Sequence, residues 1–395
     1  QDTDIGPGLV GATSIWNGIS MPLGDGPDRA RGEGVVVGII DSGINFGSPS
    51  FAATDPLDGY VHTNPNGAGN YLGTCAAGGV DAGRCNDKLI GGWDFICGAG
   101  APANACGIAS LREEPGFGDT NGHGSHTAST AAGNSRQTTF NGGTVTISGV
   151  APRANVIAYD VCYTSLTTGQ GLCPNVSSVA AVNQAVADGV DVINFSIGGG
   201  AAPWNDVVSL AFLNATNAGV FVAASAGNSG PANEVAHISP WLTTVAASTH
   251  NRLLKAPVNL GSGTSYIGAS MNVSALPPAP MIRAEDAGLA GADPEKLRLC
   301  YSASGNGGVA VLDAAKVAGK VVTCDRGVNA RVDKSLAVAD AGGVGMVMVD
   351  NGAGLVAEVH SVPTVHVNAA DGALVKAYAV TAGSTAGMGT FTVGT

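Results

Sequence analysis

Charge is scarce in this 395-residue sequence: Asp, Glu, Lys and Arg together make up 12% of it, about half the share usual for globular proteins. The scarcer sign is the positive one, with 18 Lys and Arg against 30 Asp and Glu, a formal net charge of −12. Such a chain offers no basic surface for phosphate, so nucleic acid and anionic membrane are not expected as partners. No uninterrupted apolar run reaches the roughly 18 residues of a membrane-spanning helix. The first residues, Gln1-Asp2-Thr3-Asp4, carry neither the basic n-region nor the apolar h-region of a secretory leader, so the start reads as a processed or an internal end. No Cys-x-x-Cys pair occurs and no histidine stands at zinc spacing from a cysteine, which argues against a zinc site.

What is abundant is glycine, 60 residues of it, which implies many tight turns and close approaches of backbone. The eight cysteines fall into four pairs of near neighbours, each closing a short loop. The expected pairing is Cys75–Cys85, Cys97–Cys106, Cys162–Cys173 and Cys300–Cys324. An even count with short loops favours an oxidising compartment, and the protein is expected to be secreted, hence extracellular.

Gly34–Asp41 (GVVVGIID) is a continuous apolar run that ends in an acid. It reads as a strand buried on both faces, and therefore parallel to its neighbours. Further strands are expected at Asn155–Val161, Val190–Ile197, Val220–Ala226 and Trp241–Ala247. Helices are expected from His123 to a stop at Gly133, over Val179–Gly189 and over Asp206–Gly219. Alternation of this kind means βαβ units around a parallel sheet covered by helices. Residues 52–118 read as an irregular loop insertion. After about residue 266 the texture changes to short Val-rich segments (VAVLD, KVVTC, VGMVMVD, PTVHV) with a helix near Val332–Gly342, as in a smaller, strand-rich domain.

Three segments carry chemistry. Asp41-Ser42-Gly43 ends a buried strand, where open parallel sheets place their sites. His123 opens a small-residue helix in Asp119-Thr-Asn-Gly-His123-Gly-Ser-His126, and Asn228 follows a strand in Ala224-Ser-Ala-Gly-Asn228. Singly, each has an ordinary reading: a strand-to-turn acid, a helix-start histidine and a turn asparagine. His126 reads as a packed, hydrogen-bonded core histidine.

Together and in this order, the segments resemble the signatures of the subtilisin-like serine proteases, or subtilases. Asp41 matches the aspartate of the Asp-[Ser/Thr]-Gly motif, His123 the first histidine of His-Gly-[Thr/Ser]-His, and Asn228 the oxyanion-hole asparagine of Ala-x-Gly-Asn. Val192–Gly199 (VINFSIGG) resembles the strand that pairs with bound substrate, and residues 321–350 resemble the protease-associated (PA) domain inserted in larger subtilases. The resemblance implies an α/β fold: a subtilisin-like parallel sheet flanked by helices, with an inserted β-rich PA domain. The implied layout is the amino-terminal part of a catalytic domain over 1–265, a PA insert over 266–380, and the start of a return to the catalytic domain over 381–395. It also implies a secreted serine endopeptidase with an Asp-His-Ser triad and polypeptide substrate bound extended beside Ser196, Ile197 and Gly198. Ala226 and Gly227 would line the pocket for the residue preceding the cut. No cofactor is required, and structural calcium is frequent in the family but cannot be placed here.

One part of the pattern is missing. The family holds its nucleophile in Gly-Thr-Ser-[Met/Leu]-Ala-x-Pro, and no such motif occurs. Gly263-Thr264-Ser265 matches three letters, but Ala-x-Pro does not follow, and the segment resembles the lead-in to a PA domain. The chain is therefore expected to be the amino-terminal part of a longer or nicked enzyme whose carboxy-terminal part supplies the serine, and to be nearly inactive alone. Two readings compete: a non-catalytic subtilase-fold binding protein, and a metal-dependent hydrolase using His123 and His126. Asn175, Asn194, Asn214 and Asn272 head Asn-x-Ser/Thr sequons, with Asn194 expected to be buried in a strand.

Overall fold

The computed structural model describes residues 6–19, 30–97, 106–140, 143–166, 171–229, 234–248 and 253–394. The chain divides into two compact units, the first running essentially to Thr249 and the second over His250–Thr395.

The first unit is built on seven parallel strands: β1 Val36–Asp41, β2 Leu72–Gly73, β3 Leu89–Asp94, β4 Asn155–Asp160, β5 Val192–Phe195, β6 Phe221–Ser225 and β7 Thr243–Val245. Their spatial order is β7-β6-β5-β1-β4-β3-β2. All six residues of β1 and of β4 are buried, as runs apolar on both faces require. Neighbouring residues of one strand feed opposite layers. Ile40 and Ile193 pack with Val182, Ala185 and Phe212, while Ile39 and Val156 pack with Ala128 and Ala132. The first layer comes from helices α2 (Asn175–Ala187) and α3 (Val207–Asn217), the second from α1 (His123–Ala132). Asp206 caps α3 by accepting from the Ser209 N–H at 2.7 Å. The α1 helix buries Gly124, Ala128 and Ala132, a stripe at four-residue spacing. A Cβ on Gly124 would lie 2.2 Å from the Gly43 carbonyl oxygen, so only glycine lets the helix approach β1 this closely.

Residues 52–118 are not simply an insertion, because they contribute β2 and β3 to the sheet. The paired glycines hid β3. A Cβ on Gly92 would meet the Phe117 ring at 2.1 Å, so the strand gives up side chains to seat that buried aromatic. Gly133 ends α1 as expected, but in extended rather than left-handed backbone (φ −64°); its Cβ would press on the Ser129 carbonyl at 2.6 Å. The disulfides Cys75–Cys85, Cys97–Cys106, Cys162–Cys173 and Cys300–Cys324 are formed.

The second unit is an eight-stranded sheet in the spatial order 265–269, 364–367, 345–349, 321–325, 276–283, 385–388, 253–260, 392–394. Strand 265–269 also pairs with 253–260, which closes the sheet on itself. The unit is wider than the 266–380 window read from the sequence, because flanking strands at 253–260 and 385–394 belong to its sheet and not to the first unit's. VAVLD forms no strand: Leu312 makes an isolated bridge to Gly288. Arg331–Asp340 and Ala369–Ala379 are helical.

Candidate active site

The carboxyl ends of β1, β5 and β6 lie level in adjacent strands, with Ile40 opposite Phe195 and Phe195 opposite Ala224. The residues that follow those ends are the ones singled out in the sequence. Asp41 is 1% exposed and closes β1. Its Oδ1 accepts from His123 Nδ1 at 2.7 Å and from the Ser42 N–H at 2.8 Å, and its Oδ2 accepts from Thr127 Oγ1 at 3.1 Å. A carboxylate only accepts, so the His123 proton sits on Nδ1 and leaves Nε2 with its lone pair. The His123 side chain is half-exposed, and its pKa is raised above the ordinary histidine value, first by the Asp41 hydrogen bond and further by the charges of Asp41 and Asp119, against the opposing effect of partial burial.

The start of α1 is held by residues whose roles the sequence reading missed. Gly122 takes φ +101°, a left-handed corner suited to glycine, just before His123. Asp119 gathers the turn. Its Oδ1 accepts from the Asn121 and Gly122 N–H groups and from Ser42 Oγ, and its Oδ2 accepts from Ser125 N–H and Oγ. Ser42 Oγ in turn accepts from the Gly124 N–H at 2.9 Å. Asp119 thus ties the helix start to the strand end that carries Asp41. Its signal was available: an aspartate three residues ahead of the glycine that precedes a helix can gather the turn's amides.

These residues open onto a cleft of about 270 Å³ lined by Asp41, His123, Ser196, Ile197 and Gly198, among others. Tyr163, Thr164 and Gly171, from a small antiparallel sheet (Leu111–Arg112, Tyr163–Ser165, Gly171–Leu172), also line it. The cross-linked Cys162 and Cys173 line the cleft too, and Asn121 Nδ2 donates to Thr164 Oγ1 at 3.0 Å. Ala226, Gly227 and Asn228 are not among the residues lining this cavity. They follow β6, one strand beyond β5; Ala226 is held by its N–H bond to the Val245 carbonyl, Gly227 turns at φ +81°, and Asn228 is exposed. Gly230 and Pro231 lie outside the described residues.

His126 is exposed, not packed in the core. It stands two residues from Gly124, about 200° around the helix from the buried stripe. Ser265 opens an antiparallel strand of the second unit and donates to Asn259 Oδ1 at 2.8 Å, so it does not stand at a helix start. Asn175 and Asn214 are exposed, Asn194 is half-buried in β5, and Asn272 is 8% exposed with Oδ1 accepting from the Thr364 N–H. Among the described residues no group of three or more His, Cys, Asp or Glu forms a metal-binding cluster.

A helix-covered parallel sheet with a buried aspartate bonded to a helix-borne histidine at its carboxyl edge defines an α/β class with an acid–base couple at the strand ends. The sequence profile of the subtilase family matches residues 32–275, and that of the PA domain matches 283–375. The chain is 37% identical over 384 residues to the subtilisin-like protease SBT1.4 of Arabidopsis thaliana, covering 94% of this chain and 46% of that protein. It is 36% identical over 364 residues to SBT1.3 of the same plant, covering 90% of this chain and 44% of that protein. A solved psychrophilic subtilisin-like protease, Apa1 of an Antarctic Pseudoalteromonas, aligns at 18% identity with a TM-score of 0.36, covering 97% of this chain and 80% of that one. The chain belongs to the subtilase family and carries a PA domain. It spans about half the length of the curated relatives it matches.

Proposed function

We propose that this chain supplies the aspartate, the histidine and the oxyanion asparagine of a secreted serine endopeptidase whose nucleophilic serine is contributed by residues outside these 395. The observation that carries the reading is the 2.7 Å bond from His123 Nδ1 to the buried Asp41 carboxylate. It leaves Nε2 facing a cleft beside a strand end, where a general base is needed to take a serine proton during attack. Asp41 fixes the tautomer and stabilises the imidazolium as it forms. Polypeptide binds extended along Ser196, Ile197 and Gly198, adding a strand. Asn228 donates its side-chain amide to the oxyanion of the tetrahedral intermediate, and Ala226 and Gly227 border the pocket for the residue before the cut. Since Asn228 does not line the cleft, bound substrate would have to bridge from β5 to β6. The four disulfides fit an extracellular setting.

The test is fluorophosphonate labelling of the full-length protein. Labelling of a serine outside residues 1–395 that is lost in His123→Ala supports the reading. Full-length protein that binds extended peptide yet resists the probe is instead a non-catalytic subtilase-fold binding protein.

A further inference from the structure

His237 has three features that no other described residue of the first unit combines. It adopts φ +53°, a left-handed backbone that is costly for a side chain this bulky. It is 1% exposed. Its ring reaches the segment after β5, where Nε2 lies 3.1 Å from the Ile197 carbonyl oxygen. A carbonyl only accepts, so Nε2 carries the proton, and Nδ1 is left buried with no hydrogen-bond partner among the described residues. A strained backbone and an unpaired buried nitrogen are both unfavourable, and such costs persist where the surroundings enforce them.

The surroundings are specific. Phe195 and Phe212 meet the imidazole edge-on, at centroid distances of 5.4 and 6.0 Å. Gly199 lies flat against the ring; a Cβ there would come within 2.0 Å of Cε1. The His237 N–H donates to the Gly200 carbonyl at 3.2 Å, and the His237 carbonyl accepts from Thr244 Oγ1 on β7. Ser225 Oγ, at the end of β6, gives the Ile197 carbonyl a second hydrogen bond at 2.9 Å. Both donors pull Ile197 oxygen inward, towards β6. Burial holds the His237 pKa below the ordinary histidine value, in keeping with a neutral ring, although Asp206 opposes it.

We propose that His237 is a positioning residue for substrate: its ring, with Ser225, clamps the Ile197 carbonyl inward and so presets the Ser196–Gly198 edge for an incoming extended peptide. The proposal rests on the peptide-binding role given to that edge above, and it goes further by assigning its rigidity to a side chain about 40 residues downstream. Without the clamp, that edge would have to be ordered each time a peptide binds, which weakens affinity.

The experiment uses the 395-residue chain labelled with ¹⁵N and a short extended peptide probe, acetyl-tetra-alanine amide, which stays intact in the absence of the nucleophilic serine. In the unaltered chain the His237 ring shows the Nε2–H tautomer. His237→Ala lowers the backbone order parameters of residues 196–200 and weakens the probe about tenfold, the effect of one lost hydrogen bond near the upper end of its range. His123 resonances stay in place. His237→Asn, which tolerates left-handed backbone and keeps an amide donor, recovers most of the order. Ser225→Ala, which leaves the His237 corner untouched, changes both readouts in the same direction as His237→Ala and decides the matter alone if that variant fails to fold. An Nδ1–H tautomer, or unchanged order at 196–200 in the folded variants, overturns the proposal. Equal probe binding by all chains overturns it while leaving the peptide-binding edge intact. No probe binding even to the unaltered chain, with order still lost in the variants, removes the peptide-binding reading and leaves the clamp standing.

Discussion

The segments that follow β1 and β6 are built to different standards. On the β1 side, Asp41 has three donors on its carboxylate and the turn before His123 has its amides gathered by Asp119. On the β6 side, Asn228 stands exposed after a left-handed glycine. The difference teaches which part of the chemistry is preset. The Asp41–His123 pair is held in place within this chain, whereas Asn228, the oxyanion donor of the proposed function, stands exposed to solvent.

Three variants break or sharpen that contrast, and a fourth tests a separate buried group. In the full-length protein, Asp41→Asn should cut kcat by about 10⁴-fold, the size seen for serine proteases as a class, because His123 loses its tautomer control. By NMR, the His123 pKa of the same variant should fall. Since the neutral ring is the base, unaltered enzyme should lose activity as the pH drops through the raised His123 pKa, and that limb is the one to follow. Asn228→Ala should lower kcat by about 10²–10³-fold, while chemical denaturation finds stability within roughly 0.5 kcal/mol of the parent, as for exposed positions. A large loss of stability there would erase the contrast. Asp119→Ala should reverse that pattern, destabilising the chain by about 1–2 kcal/mol as a lost helix cap does, and lowering the His123 pKa. A separate effect concerns His62, which does not line the cleft and whose pKa burial lowers to about 4. Its neutral form is favoured by folding, so its contribution is complete above the ordinary value near 6.5 and is lost as the pH falls toward 4. Thermal melts of the parent should soften across that window, and His62→Gln should flatten the change.

Much of the first unit was legible because buried parallel strands announce themselves. The runs ending at Asp41 and Asp160 are apolar on both faces, and nothing but a sheet interior accommodates them. β3 was illegible because Gly91 and Gly92 remove the pattern for the sake of neighbours distant in the chain: a Cβ on Gly91 would meet Leu72 at 2.9 Å, and one on Gly92 would meet Phe117, 25 residues away. His126 was expected in the core, but the stripe of Gly124, Ala128 and Ala132 shows which face of α1 is buried, and His126 lies off it. In the second unit, strands such as 276–283 (LPPAPMIR) carry proline where β-propensity is read, and their pairing comes from partners about 100 residues along the chain. Asp41 and His123 could be named from sequence motifs. Their distance, the Asp119 turn and the His237 corner are products of long-range packing and could not.

The seat made for Phe117 by Gly92 reaches further than packing. The Phe117 carbonyl accepts from the Ile44 N–H, the Ile44 carbonyl accepts from the Asp119 N–H, and Asp119 gathers the turn that presents His123. A methyl group at position 92 would therefore be felt at the imidazole through a relay of rigid neighbours. Surveys that rank positions by closeness to the imidazole would pass over that glycine, although a methyl group there presses on the residue whose carbonyl begins the relay.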